Sequence, residues 1–323
     1  MGISGGVDSS MATLLLKKEG YSITCVFIDL FNDKKLVERA REVAGKMNLP
    51  FKVIDKREEF KRKVIDYFTE SYNKGVTPNP CTVCNREIKF ATLFEVLKEE
   101  RGDMISTGHY LREKDGFLYE GKDRKKDQSY FLWMIKKEII PYLHFPLGEM
   151  KKEEVKKIMK KEGFSFPDSL ESKEACFLKD GLEEFLKEKI KLTPGKIVNK
   201  EGDVLGCHEG SEKYTKGQRK GLNLSGGPYY VLSKEGSTVK VTGNKEDLKE
   251  REVCFFKPNF LVEKPPVEME AKIRYNSPAK KGRVVKEGLF RFSEPRESIT
   301  PGQSIVFYKK DKLLGGGIIK NEN

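Results

Sequence analysis

The chain has 323 residues, enough for two or three domains each with its own core, and carries 62 Lys and Arg against 50 Asp and Glu, a formal charge of +12. No apolar run approaches the ~20 residues of a membrane span, and no basic-then-apolar leader opens the chain, so the expectation is a cytoplasmic protein with no membrane partner. The charge favours a polyanion such as nucleic acid, although lysine-rich solvated helix faces would give the same sum. Cys25, Cys81, Cys84, Cys176, Cys207 and Cys254 are too sparse for a disulfide framework and read as thiols, ligands or nucleophiles.

In chain order, residues 9–20 have the apolar spacing of a helix that starts at loop serines and stops at Gly20, and I-T-C-V-F-I-D-L reads as a buried strand. The alternation continues through a helix at Lys34–Met47, a strand F-K-V-I-D, a helix from Glu58 to Asn73, a helix after Cys84 and a strand D-M-I-S-T-G-H-Y. This pattern predicts an α/β fold with a parallel sheet and helices on both faces. Phosphate loops in such folds follow a strand, yet only Met1 precedes Gly2. The first, central strand is therefore expected to be missing and the start truncated. A second helical stretch is expected from Ser129 to Ile190. From Pro194 short β-type runs punctuated by glycine predict a small β-rich domain, and after K-P-N-F-L-V-E-K-P-P a second set predicts a small barrel. The expected domains are 1–191, 192–256 and 257–323.

The glycine-serine loop at residues 2–10, G-I-S-G-G-V-D-S-S, has no Gly-Lys-Ser or Gly-Lys-Thr, so no P-loop lysine follows it. Gly5 and Gly6 would let backbone N–H groups approach phosphates, Ser4, Ser9 and Ser10 would add hydroxyls, and the helix N-terminus would face the anion. The other reading is an ordinary N-cap rich in small residues. S-G-G-V-D-S-S resembles the PP-loop of ATP pyrophosphatases, which cleave ATP between its α- and β-phosphates and adenylate a substrate oxygen. On that resemblance Asp8 is the expected link to Mg²⁺.

Further stretches extend the likeness in order along the chain: T-P-N-P-C-T-V-C-N-R-E-I-K-F (77–90), T-G-H-Y (107–110), K-D-Q-S-Y-F-L (126–132), E-A-C-F-L (174–178), P-G-K-I-V (194–198), T-K-G-Q-R-K-G-L (215–222), K-I-R-Y-N-S-P (272–278) and T-P-G-Q-S-I-V-F-Y (300–308). Together they resemble the tRNA-specific 2-thiouridylase (MnmA) family. The resemblance implies a PP-loop domain, a small central domain and a C-terminal β-barrel. It also implies thiolation at carbon 2 of the wobble uridine in tRNAs for Lys, Glu and Gln. Residue by residue it places ATP at Gly2, Ile3, Ser4, Gly5, Gly6, Val7, Asp8, Ser9, Ile28 and Gly108. It places tRNA at Asn79, Pro80, His109, Lys126, Asp127, Gln128, Arg274, Tyr275 and Gln303, with the basic loop 215–221 as a further candidate. Lysine and arginine suit phosphate, amides suit base edges, and an aromatic ring can stack on a splayed base.

In the family, the cysteine matching Cys176 takes a persulfide from a carrier and the one matching Cys84 helps release the sulfur by forming a disulfide. Cys84 is read here as opening a helix whose dipole lowers its pKa. Where better-known members have N-P-D-x-x-C, this chain has N-P-C-T-V-C, so the aspartate's proton-transfer role is vacant. Cys81, Cys84 and Cys176 together form a set that could ligate three irons of a 4Fe-4S cluster, leaving the fourth open to hydrosulfide. Zinc, a redox dithiol and an intact persulfide pair beside an incidental cysteine are the alternatives. Cys25 reads as buried packing, and Cys207 and Cys254 receive no role. The competing functions are another PP-loop ligase acting on a small metabolite and a tRNA-binding module without catalysis.

Overall fold

The computed structural model describes residues 1–166 and 175–320. Glu174 of the E-A-C-F-L motif lies outside that range. The N-terminal domain contains, in order, α1 (Val7–Lys18), β1 (Cys25–Asp29), α2 (Lys34–Lys46), β2 (Phe51–Asp55), α3 (Arg57–Phe60), α4 (Asp66–Asn73), α5 (Pro80–Cys84), α6 (Phe90–Glu99), β3 (Ile105–Ser106), the hairpin β4 (Leu111–Lys114) and β5 (Phe117–Glu120), then β6 (Leu143–His144), α7 (Lys152–Lys161) and α8 (Leu182–Lys189).

β1 pairs in parallel with β2, and β3 with β6. Between the two pairs run residues 1–3, which form no named strand, as expected, but stand in the first strand's place through one isolated bridge. Gly2 bridges Val26 in parallel, Ile3 N donates to Val26 O at 2.9 Å, and Gly2 N donates to Ser106 O at 2.8 Å. The segment is held there by these bonds, by Val26 N donating to Met1 O at 2.8 Å, and by the burial of Ile3. The loop that follows thus leaves the carboxyl end of this central segment, where ligands bind in open α/β sheets.

Two π-turns shape the helices. Residues Lys61–Ile65 join α3 to α4, and Asn85–Lys89 join α5 to α6, giving continuous helices over 57–73 and 80–99. The helical stretch expected from Ser129 to Ile190 is corrected. Ser129–Phe131 and Lys137–Tyr142 are 3₁₀ turns, β6 follows, and only α7 and α8 are α-helices among the described residues. Pro141 removes a helical N–H, and the buried Trp133, Ile135, Ile139 and Ile140 serve the shared core.

The middle domain is a four-stranded sheet in the order β8 (Val204–His208), β7 (Gly195–Val198), β10 (Thr238–Thr242), β9 (Tyr230–Glu235), with Ile197, Val231, Val239 and Val241 fully buried. Six strands then close a barrel: β11 (Lys249–Phe260), β12 (Glu268–Lys272), β13 (Lys280–Lys286), β14 (Leu289–Glu297), β15 (Ser304–Lys309) and β16 (Lys312–Ile319). Neighbours run β11, β14, β13, β12, β15, β16, and β16 pairs back with β11. β11 crosses the boundary expected at residue 256, because one long strand carries pairing to β14 in its first half and to β16 in its second. The barrel shares a core with the first domain, in which Tyr130 and Trp133 pack with Leu261, Val306 and Tyr308. Trp133 Nε1 donates to Ser304 Oγ at 2.9 Å.

Candidate active site

The loop and the first turn of α1 form the anion end. No side chain caps α1, so the N–H groups of its first turn point outward without a capping acceptor, at the positive end of the helix dipole. Ser9 braces the loop: its Oγ accepts from Ser4 N at 3.1 Å and donates to Gly6 O at 3.1 Å, and Ser10 Oγ also donates to Gly6 O. Gly5 takes φ of +73°, and a Cβ there would meet Ala40 N of α2 at 2.9 Å. Gly108 is required for a different reason, since its Cβ would lie 2.5 Å from Ser9 N. It lets β3's loop pack directly on the start of α1. Ile28 lies near the carboxyl end of β1 and packs on the cluster around Cys84.

Asp8 is differently engaged than the Mg²⁺ expectation supposes. Both carboxylate oxygens lie 2.7 Å from Lys152 Nζ, and Oδ1 also accepts the Tyr110 hydroxyl at 2.7 Å. Lys152 is only 8% exposed. As placed, this carboxylate does not fit an open metal-ligand position.

The thiol end lies on the helix 80–99 and the segment before α8. Asn79 takes the N-cap position of α5 with extended backbone, Pro80 opens the helix, and Cys81 follows in the first turn. Cys84 falls one turn deeper and is buried among Phe60, Val64 and Ile88. The expectation of a dipole-lowered Cys84 is corrected: burial pushes its pKa up to about 12, with Lys89 opposing only in part. Burial likewise raises Cys81, and the protein packed around Cys176 raises that thiol too, although the residue keeps an exposed face. Cys176 is solvent-exposed, and its neighbour Phe177 anchors the segment edge-on to Phe60 and Phe68, at ring distances of 6.1 and 5.0 Å. All three thiols act electrostatically on Lys89; burial works against that ammonium, yet the thiols hold its pKa up. The π-turn explains how Lys89 reaches them, because residues five apart share a face more nearly in a π-turn than in an α-helix. Lys89 was not read from the sequence, and no spacing rule would have found it. Next to Cys84, the buried Asn85 has an Oδ1 without a hydrogen-bond partner.

Between the two ends stands His109. Burial, then Lys89, pushes its pKa down to about 3, and Nδ1 lies 2.8 Å from Thr107 Oγ1. With its pKa held that low the ring carries no charge at neutral pH, so a tRNA contact through His109 would be made by an uncharged imidazole. Cys25 is buried in β1, as expected of packing.

The residues expected near tRNA fall into two groups. Asp127 is 3% exposed and accepts from Gly121 N, Ser129 N and Ser129 Oγ, so it organises its loop from inside instead of facing a ligand. Gln128 is held to Tyr110 by its own N–H and by its Oε1. Gln303 of the barrel donates to Thr77 O at 2.9 Å and Pro78 O at 3.1 Å, and Thr77 Oγ1 meets Thr215 Oγ1 of the middle domain at 2.9 Å. Arg274 donates to Ser298 O and Lys216 O, and Lys216 pairs with Glu250 at 2.6 Å. These residues clamp the three domains around the start of the cysteine helix. Of the rest, Tyr275 faces a cavity of about 380 Å³ lined also by Arg124, Lys125 and Lys272, with the buried Asp127 at its base. Tyr275 stacks on Phe131 with ring centroids 4.6 Å apart. Lys126 is partly exposed beside it.

An uncapped helix N-terminus after a glycine-serine loop at the carboxyl edge of a parallel sheet, in a domain that also carries the three thiols and is followed by two β-domains, defines an ATP-using PP-loop enzyme with β-domains appended. Family models described as "tRNA methyl transferase HUP domain", "tRNA methyl transferase PRC-barrel domain" and "Aminomethyltransferase beta-barrel domain" match residues 1–180, 183–242 and 250–319. The chain is 38% identical to "tRNA-specific 2-thiouridylase MnmA 2" of Clostridium botulinum (strain Langeland), with 99% of this chain and 97% of that protein covered. It is 39% identical to the MnmA of Clostridium acetobutylicum, covering 99% and 98%, and 41% identical to that of Carboxydothermus hydrogenoformans, covering 98% and 96%. The chain belongs to the tRNA-specific 2-thiouridylase family, whose members are ATP-dependent sulfurtransferases. Among solved structures, an NH₃-dependent NAD synthetase from Campylobacter jejuni matches at 17% identity and a TM-score of 0.30, over 58% of this chain and 82% of that one, a likeness too slight to bear on function.

Proposed function

We propose that this protein adenylates O2 of the wobble uridine in tRNAs of the Lys, Glu and Gln types and replaces that oxygen with sulfur. The uncapped α1 terminus would bind the triphosphate. Attack of O2 on the α-phosphorus releases pyrophosphate, and a sulfur nucleophile adds at C2; collapse of the tetrahedral species breaks C2–O and expels AMP. The observation that carries the reading is the gathering of Cys81, Cys84 and Cys176 about Lys89, next to His109 of the same loop that packs on α1.

For the sulfur step we propose a 4Fe-4S cluster held by Cys81, Cys84 and Cys176. Among the described residues no three donors are gathered to hold a single metal ion, which speaks against zinc. The donor chemistry suits a cluster, whose separate irons each take one thiolate, and the buried Lys89 cation offsets the resulting negative charge. When bound, such a cluster would supply an open iron for hydrosulfide. The protein's own part is to bury Cys84 against Phe60 and Phe177 and to keep His109 neutral.

A second reading is favoured by the exposure of Cys176. A carrier persulfide reaches it, the terminal sulfur attacks C2, and Cys84 displaces that sulfur to leave a Cys84–Cys176 disulfide, which an external dithiol reduces. The test is anaerobic purification with iron and sulfide analysis, then Cys81→Asp. Iron lost together with thiolation supports the cluster. Full iron-free activity of that variant with a persulfide donor overturns it.

A further inference from the structure

The loop at residues 2–10 lacks the lysine that a P-loop carries, and the fold brings one from far along the chain. Lys152 opens α7, where its backbone N–H donates to Asp123 Oδ2 at 3.0 Å and its side chain turns inward to lie 2.7 Å from both oxygens of Asp8. Asp8 is in the first turn of α1, so the ammonium stands at the same turn whose N–H groups open the anion site. The lysine side chain is largely buried, at 10% exposure, while Asp8 keeps a third of its side-chain surface open, so the pair stands at the edge of the anion site and not within the core.

We propose that Lys152 is a phosphate-positioning residue of the nucleotide site, the counterpart in space of the lysine missing from the loop, and that Asp8 orients it. The inference rests on the adenylating reading. It assigns to Asp8 the holding of an ammonium where a metal ion was expected, and it gives Lys152 the β- and γ-phosphates, the groups that leave as pyrophosphate. Tyr110 completes the arrangement: its hydroxyl fixes Asp8 Oδ1 while its backbone is bonded to Gln128.

The alternative is that Lys152 only neutralises Asp8. Titration calorimetry with ATP, AMP and inorganic pyrophosphate on the full chain separates the two, using Lys152→Met, Lys152→Arg, Asp8→Asn and the Asp8→Asn/Lys152→Met pair. The proposal expects Lys152→Met to weaken ATP and pyrophosphate about tenfold or more while AMP binds as before, since charge-assisted bonds to the outer phosphates are lost. Lys152→Arg should recover much of this. The double variant should remain weak, because removing Asp8's charge cannot replace a phosphate contact. Recovery of ATP affinity in the double variant, or equal loss of AMP and ATP in Lys152→Met, overturns the proposal. A wild-type protein that binds neither ATP nor pyrophosphate would overturn the adenylating reading as well, an outcome distinct from a tight wild type with an unaffected Lys152→Met.

Discussion

At the scale of single residues, environment overrides residue type. Cys84 has the position in sequence of a reactive thiol, yet burial holds it protonated up to about pH 12, so its reactivity depends on a ligand or partner arriving. Cys176 is the accessible member. Alkylation under native conditions, read by mass spectrometry, should therefore mark Cys176 well before Cys84, and the reverse order would contradict the burial of Cys84. A pH-dependent pair joins β6 to β4. The hydrogen bond that Glu113 Oε1 accepts from His144 Nδ1, 2.6 Å away, raises the pKa of the histidine above its ordinary value. A raised folded-state pKa stabilises most below the unfolded value near 6.5, and the gain is lost as pH rises through the folded pKa. Both groups are partly exposed, so the effect is below about 1 kcal/mol. The difference in stability between wild type and His144→Gln, followed by denaturant unfolding, should shrink as the solution becomes alkaline.

At the scale of elements, close approach decides more than propensity. Gly108 is partly exposed and would pass for a loop glycine, but any Cβ there collides with the backbone of Asp8 and Ser9. Backbone cannot yield as a flexible side chain would. Gly108→Ala should cost about 1–3 kcal/mol and weaken ATP binding with it, measured by unfolding and calorimetry. The π-turn Asn85–Lys89 is a second such case. It adds a residue between Cys84 and α6 and turns Lys89 toward the thiols, while the apolar Phe90, Leu93 and Leu97 still face the core.

At the scale of the whole molecule, the β-domains hold the cysteine helix as well as extending the basic surface. Thr77 and Pro78 receive Gln303 from the barrel, and Thr77 receives Thr215 from the middle domain. Gln303→Ala should leave pyrophosphate release by bound tRNA less affected than thiolation, because it loosens the start of α5 and not α1. Equal losses in both half-reactions would argue against a clamp. The basic loop divides in the same way. Lys216 is tied to Glu250, whereas Arg219 and Lys220 have no ion pair among the described residues. Replacing Arg219 and Lys220 together should lower the salt slope of tRNA binding by up to about two, each phosphate contact contributing about 0.9 or less, while Lys216→Ala should change it little.

The sequence by itself determined what local spacing and residue chemistry can specify: a parallel α/β domain, two β-rich domains after it, a glycine-serine anion loop at the amino end, and Cys81 and Cys84 one turn apart. The loop was legible because its chemistry is contained in seven consecutive residues. The place of residues 1–3 between the two strand pairs was not, because three residues show no periodicity and are positioned only by bonds to Val26 and Ser106. The stretch after Ser129 misled because its apolar residues serve a core shared with the barrel, a period that no window along one chain contains. The nearness of Cys176 to the helix, the pairing of Lys152 with Asp8, and the neutral His109 were likewise decided only by tertiary structure. Charge and burial depend on which distant groups the fold brings together, and neither distance nor dielectric environment is written in residue order.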